Sequence, residues 1–169
     1  MKAADSRTVL EGIMTGDLLK EKAEEVSWIQ LVTFFVHREE YALDIRSAQE
    51  ILRIPEVTRV PKTPFFLMGV MNLRGKIIPI VDLRKRLGIS SSAPSPEDSR
   101  VIVVNDDGKV AGLAVDSMSQ VLRIEASSID PVPSFFESQS PAEFIHGVIR
   151  LNGRLLIVLD LKILLSDPI

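Results

Sequence analysis

Residues 66–87, FLMGVMNLRGKIIPIVDLRKRL, align without a gap on residues 144–165, FIHGVIRLNGRLLIVLDLKILL. Eight of these 22 positions are identical: Phe66, Gly69, Val70, Leu73, Gly75, Asp82, Leu83 and Leu87. Most of the others exchange one aliphatic residue for another. Upstream, YALDIRSAQEILRI (41–54) lies over AGLAVDSMSQVLRI (111–124) in the same order, with five of 14 identical. A chain that states one pattern twice builds one unit twice, and each unit here is about 70 residues long. Two similar lobes packed together are therefore expected.

Within each copy the signals are those of β structure. WIQLVTFFV is rich in β-branched and aromatic residues, and the polar HREE then leads into YALDI, which reads as strand, turn, strand. The second copy has RVIVV and KVAGLAV around NDDG, whose Asp107-Gly108 is a strong hairpin-turn signal. IRSAQEILRI opens with helix-compatible spacing before returning to extended chain ahead of Pro61. A second hairpin turns at Arg74-Gly75, matched at Asn152-Gly153. A short helix then closes each copy, with Asp82 or Asp160 as N-cap and Gly88 as the stop of the first. Short strands, brief connections and one short helix per copy suggest small closed barrels, each of one copy. Lobe one is expected over about 28–89 and lobe two over about 99–165, with the polar SSSAPSPED (90–98) as linker. The first 27 residues stand outside the repeat. Leu10, Ile13, Met14 and Leu18 have helical spacing there, which predicts a short amphipathic helix, either lying on the barrel surface or serving to dock a partner.

Bulk properties exclude several function classes. The 169 residues carry a net charge of −3, which argues against general affinity for nucleic acid or membrane surfaces. No cysteine is present, so disulfides and thiolate metal sites are excluded. Leu155–Leu165, the longest apolar stretch, is broken by Asp160 and Lys162 and is too short to span a bilayer. The two histidines, His37 and His146, fall in a turn and over Met68 in the repeat, and no phosphate loop, zinc motif or nucleophile elbow occurs. The chain reads as a binding protein without a catalytic centre, metal or cofactor.

The second copy serves as a control for the first. Asp82 recurs as Asp160, so it reads as a cap. Pro79 stands over Ile157, and a proline without a backbone donor points to an edge strand. Arg84, Lys85 and Arg86 read as a solvated run, which is weak evidence for nucleic-acid binding. Arg74 is the informative difference. A two-residue hairpin wants φ > 0 at this position, which Asn152 supplies easily, whereas arginine there costs on the order of 1 kcal/mol. Arg74 is either a recognition residue held at a turn tip or a neutral accident. Glu50 stands over Gln120, so its charge is peculiar to copy one, while Ile45 over Val115 reads equally as core or contact.

At GVMNLRGKIIPIVDLRKRLG the chain resembles the CheW family of chemotaxis coupling proteins, through Gly69, Asn72, Leu73, Arg74, Gly75, Ile77, Ile78, Pro79, Ile80, Val81, Asp82, Leu83 and Arg84. The resemblance extends through YALDIRSAQEI, TRVPKTPFFLMGV, VAGLAVDSMSQVL and FIHGV, over about 28–165. It implies a mainly β fold of two SH3-like five-stranded β-barrel lobes. It also implies a cytoplasmic, non-enzymatic adaptor, recruited to receptor arrays at the inner membrane, that joins chemoreceptor tips to the histidine kinase CheA. A CheW-like interaction module of a motility or developmental kinase pathway is the alternative. The receptor's helical hairpin would dock between the barrels on Ile45, Ala48, Glu50, Gly69, Asn72 and Arg74, with Ala111 across the groove. Phe135 or Phe136 would meet the regulatory domain of the kinase. Neither nucleic acid nor membrane insertion is implied.

Overall fold

A computed structural model describes residues 26–89, 95–136, 140–166 and 169. The helix expected before Val26 and most of the linker lie outside these residues. Ten strands and two single-turn helices follow in chain order: β1 (Trp28–Val36), β2 (Glu39–Asp44), β3 (Ala48–Arg53), β4 (Leu67–Leu73), β5 (Lys76–Asp82), α1 (Leu83–Arg86), β6 (Arg100–Asp106), β7 (Lys109–Val115), β8 (Ser117–Glu125), β9 (Ile145–Leu151), β10 (Arg154–Leu159) and α2 (Leu161–Leu164). Turn chemistry falls where the residues require it. Arg74, Asp107 and Asn152 take φ of 51°, 51° and 50°, each followed by a glycine that also has positive φ. Asp82 and Asp160 cap α1 and α2 by accepting from the amides of Lys85 and Ile163, and Gly88 ends the first helix at φ 72°. The helix-like start of IRSAQEILRI is one 3-10 turn, Ile45–Ser47, after which β3 begins at once.

The strands form two five-stranded sheets, ordered β8-β1-β2-β10-β9 and β3-β6-β7-β5-β4. The duplication is visible in this order. Replacing each strand of one sheet by its repeat partner gives the other sheet. The sheets do not follow the sequence halves, however, and this corrects the division into lobes at 28–89 and 99–165. Each lobe takes the first two strands of one copy and the last three of the other, because the chain changes sheet after β2, at Ile45–Ser47, and again after β7, at Asp116. Parallel pairings of β2 with β10 and β7 with β5 join the two contributions inside each lobe. Pro79 therefore does not mark an edge. It pairs with Val70 of β4 on one side, and the ladder to β7 begins only at Ile80, so its missing donor leaves no gap.

Neither sheet closes by a full ladder. Each curls until the segment leaving one edge strand makes a two-bond bridge to the other edge, Thr58 with Val70 and Asp130 with Val148, all four bonds being 2.8–2.9 Å. Gly69 and Gly147 occupy the same repeat position beneath these seams. A Cβ on Gly147 would lie 2.6 Å from the Asp130 carbonyl oxygen, and one on Gly69 would overlap that of Thr58. Gly69 also has φ 146°, so a side chain is excluded twice over.

Burial explains the unbroken apolar runs. On β6, Val101 and Val103 face the interior of their own lobe, whereas Ile102 and Val104 face the other lobe. Each lobe has a small private core, Leu31, Ala42, Ile149, Leu156 and Val158 in one and Met71, Ile78, Ile80, Val101 and Val103 in the other. The largest apolar cluster is shared between the lobes and includes Phe34, Tyr41, Leu83, Leu113, Leu159 and Leu164. A strand buried on both faces reads as a continuous hydrophobic segment. The lobes are welded together over this layer.

Tyr41, the single tyrosine of the chain, is 2% exposed, packs against Phe34 and donates to Glu39 Oε2 at 2.8 Å. Burial first, and then the bond to Glu39 and its charge, push the phenol far above its ordinary range. Only the unfolded chain can then ionise this group near pH 10, so stability is full below that pH and falls above it, by up to about 1.4 kcal/mol per pH unit. Phenolate absorbance is expected to appear together with unfolding and not before it. In Tyr41→Phe this part of the alkaline slope is expected to vanish.

Candidate functional site

Arg74 stands at the tip of the β4–β5 hairpin with its side chain 74% exposed, and its Nη2 meets Glu50 Oε2 at 2.7 Å. Glu50 comes from β3, at the opposite edge of the same sheet, and is 24% exposed. This pair therefore ties the two edges of the curled sheet from outside. The bond to Glu50, then that residue's charge, raises the guanidinium above its ordinary range. At the neighbouring position Asn72 Oδ1 accepts from the Gly75 amide at 2.9 Å, which stiffens the turn. Asn105 does the same for Gly108, so the Asn72 side chain has a turn-building task that needs no partner.

The other expected contact residues divide. Ile45 is half-buried in the 3-10 turn at the sheet crossover, and Ala48, at the start of β3, packs against the shared core. With Glu50 they form one short path along the crossover and β3, ending at Arg74. Ala111 is a correction. It is 0% exposed in the middle of β7, and its methyl belongs to the inter-lobe core, so it offers nothing to a docking chain. Gly69 is buried under Thr58, and its role lies in seam geometry. The interior between the lobes is occupied by the shared core, so a partner meets only residues outside it. Phe135 is 64% exposed, while the Phe136 ring, 4.6 Å from it, turns onto the core.

The basic run Arg84–Arg86 is not the solvated face expected of it. Only Lys85 is exposed. Arg84 makes a two-pronged ion pair with Asp116, Nε to Oδ1 at 2.8 Å and Nη2 to Oδ2 at 2.6 Å, with the two side chains 13% and 12% exposed. Asp116 also accepts from the His37 amide, which belongs to the other lobe's β1–β2 tip. Hydrogen bonding to Asp116 is the main cause raising the Arg84 guanidinium. Arg86 lies over the rings of Phe66 and Phe144, 4.2 and 4.9 Å from their centroids, and donates to the carbonyls of Leu164 and Ser166. Burial lowers its pKa from the ordinary arginine value. Phe66 and Phe144 are repeat partners, so one arginine staples the two copies together. A signal was present in the sequence: Arg86 stands over Leu164, a position that is fully buried in its own copy.

Among the described residues no group of three or more His, Asp or Glu could hold a metal, and no helix is long and apolar enough to cross a membrane. What the surface presents is an oriented guanidinium and isolated apolar side chains on two rigid lobes, which defines a protein-interaction scaffold. The CheW-like domain model matches residues 30–168. The chemotaxis protein CheW of Klebsiella aerogenes is 39% identical over 138 residues, covering 82% of either chain. That of Helicobacter pylori is 34% identical over 147 residues, covering 87% of this chain and 86% of its own. The crystal structure of the scaffolding protein TtCheW from Thermoanaerobacter tengcongensis superposes with a TM-score of 0.76 at 36% identity, over 84% of this chain and 90% of that one. The chain belongs to the CheW-like family, and it is a non-enzymatic scaffold of chemotaxis signalling.

Proposed function

We propose that this protein couples the cytoplasmic tip of a methyl-accepting chemoreceptor to the regulatory domain of the histidine kinase CheA, in the cytoplasm beneath receptor arrays at the inner membrane. The observation that carries the reading is Arg74. The first copy holds an arginine at a positive-φ turn and pairs it with a glutamate, where the second copy has Asn152 and Gln120. A costly residue retained at an exposed tip has its rationale in recognition. A receptor tip is a helical surface. Ile45 and Ala48 offer it apolar seating, and Arg74 with Glu50 supplies orienting polar contacts at the rim. Phe135 offers the kinase an aromatic anchor of the kind that dominates interface energies.

The test is Arg74→Asn, which installs the residue found at the equivalent turn and removes only the guanidinium. Affinity for a soluble receptor-tip fragment is expected to fall about tenfold, with binding to the kinase regulatory domain preserved. The unfolding midpoint is expected to change little, since a pair with so exposed an arginine adds little to stability. Phe135→Ala is expected to give the reverse pattern, weakening the kinase alone by roughly tenfold or more. Receptor affinity in Arg74→Asn equal to that of the parent protein would remove the site.

A further inference from the structure

The exposed face of β1 and β8 has an unclaimed strip on which apolar and polar side chains alternate. Trp28 is 49% and Val121 54% exposed, and Val26, where the described chain begins, is 45% exposed. The strand register sets Trp28 opposite Glu125, Gln30 opposite Arg123 and Val32 opposite Val121. Val32 is buried in the shared core, so on the exposed part of this face Trp28 and Val121 flank the polar Gln30 and Arg123. The Arg123 guanidinium lies 4.8 Å from the centroid of the indole. On its other side Trp28 walls a recess with Ile29, Ile45 and Arg46.

The chain before Val26 carries what such a strip lacks. Leu10, Ile13, Met14 and Leu18 recur at helical spacing and would form one apolar stripe. Residues 17–25 carry four acidic side chains, Asp17, Glu21, Glu24 and Glu25, against two basic ones, Lys20 and Lys22, an excess that suits Arg123. Leu18 is eight residues from Val26, so at most about 28 Å of extended chain separates the end of the stripe from the strip. A tether this short holds the stripe at an effective concentration on the order of millimolar, which a diffusing partner rarely matches.

We propose that residues 10–18 dock through this stripe onto the Trp28–Val121 face of their own molecule. A docked segment also screens the recess walled by Ile45 and competes with the receptor tip there. That second consequence rests on the receptor reading, whereas the docking does not.

Trp28 is the only tryptophan of the chain and reports on the contact directly. In the full-length protein its emission is expected to be blue-shifted and its acrylamide quenching weak. Ile13→Glu combined with Leu18→Glu is expected to shift emission to the red and to raise the quenching constant at least about twofold, by breaking the apolar contact. Thr15→Glu, which adds one such charge off the stripe, is expected to leave both unchanged. A parent protein whose Trp28 is already as quenchable as that of the double variant would overturn the docking. So would protection that disappears on dilution, since the occupant would then be a second copy. Receptor-tip affinity is expected to rise in the double variant. An uncovered Trp28 with unaltered affinity would overturn the competition and leave the docking standing. No binding of the receptor tip by any variant would instead sink the receptor reading.

Discussion

Asp116→Ala is expected to cost about 3–5 kcal/mol of stability, because it removes the carboxylate that accepts two hydrogen bonds from the largely buried Arg84 guanidinium. The same carboxylate accepts from the His37 amide, so its loss unpins α1 of one lobe from the β1–β2 tip of the other. A double variant, Arg84→Met with Asp116→Leu, is expected to recover most of the loss, since apolar residues can replace a buried pair nearly without penalty. Chemical denaturation of the two variants beside the parent protein decides the matter. If Asp116→Ala costs under about 1 kcal/mol, the pair is not the inter-lobe fastening described above.

The second large effect is expected at a methyl group. Gly69→Ala places a Cβ onto the Thr58 carbonyl and requires φ near 146° of a residue that resists it. Strain and overpacking together are expected to cost about 3–5 kcal/mol, a large part of the stability of a domain this size. Gly75→Ala is the matched comparison. It too has positive φ, 86°, but nothing lies within 4 Å of its Cβ position, so only the dihedral penalty of about 1 kcal/mol applies. Equal losses in the two variants would mean that the seam yields to the added carbon and does not constrain position 69. Hydrogen exchange at the Thr58 and Val70 amides, whose bonds to each other close the curled sheet, would show whether the damage starts at this seam.

Much of this molecule is legible in local chemistry. Hairpin tips at Arg74, Asp107 and Asn152, the aspartate caps of both helices, the Gly88 stop and the strands of the four hairpins follow from side-chain preferences acting over a few residues. Arg74 could be singled out because the second copy supplies a comparison for the first. The errors have one physical origin, which is the long-range environment. Arg84 and Arg86 look like solvated cations because a sequence does not show a carboxylate 32 residues away or two phenylalanine rings converging from different lobes. Ala111 looks available for contact because its burial depends on strands that arrive from the other lobe. Gly69 reads as a site residue because the approach of Thr58 is made by chain closure.

The sequence by itself determined that one β unit is built twice, where its strands turn and end, and which residues the two copies do not share. Which sheet each strand joins was decided only in three dimensions. Since the copies are alike, the β1–β2 hairpin can pair with the last strands of either one, and local preference does not choose between them. The choice follows from the crossovers after β2 and β7 and from the apolar layer they create, where strands bury both faces and two arginines become internal fastenings.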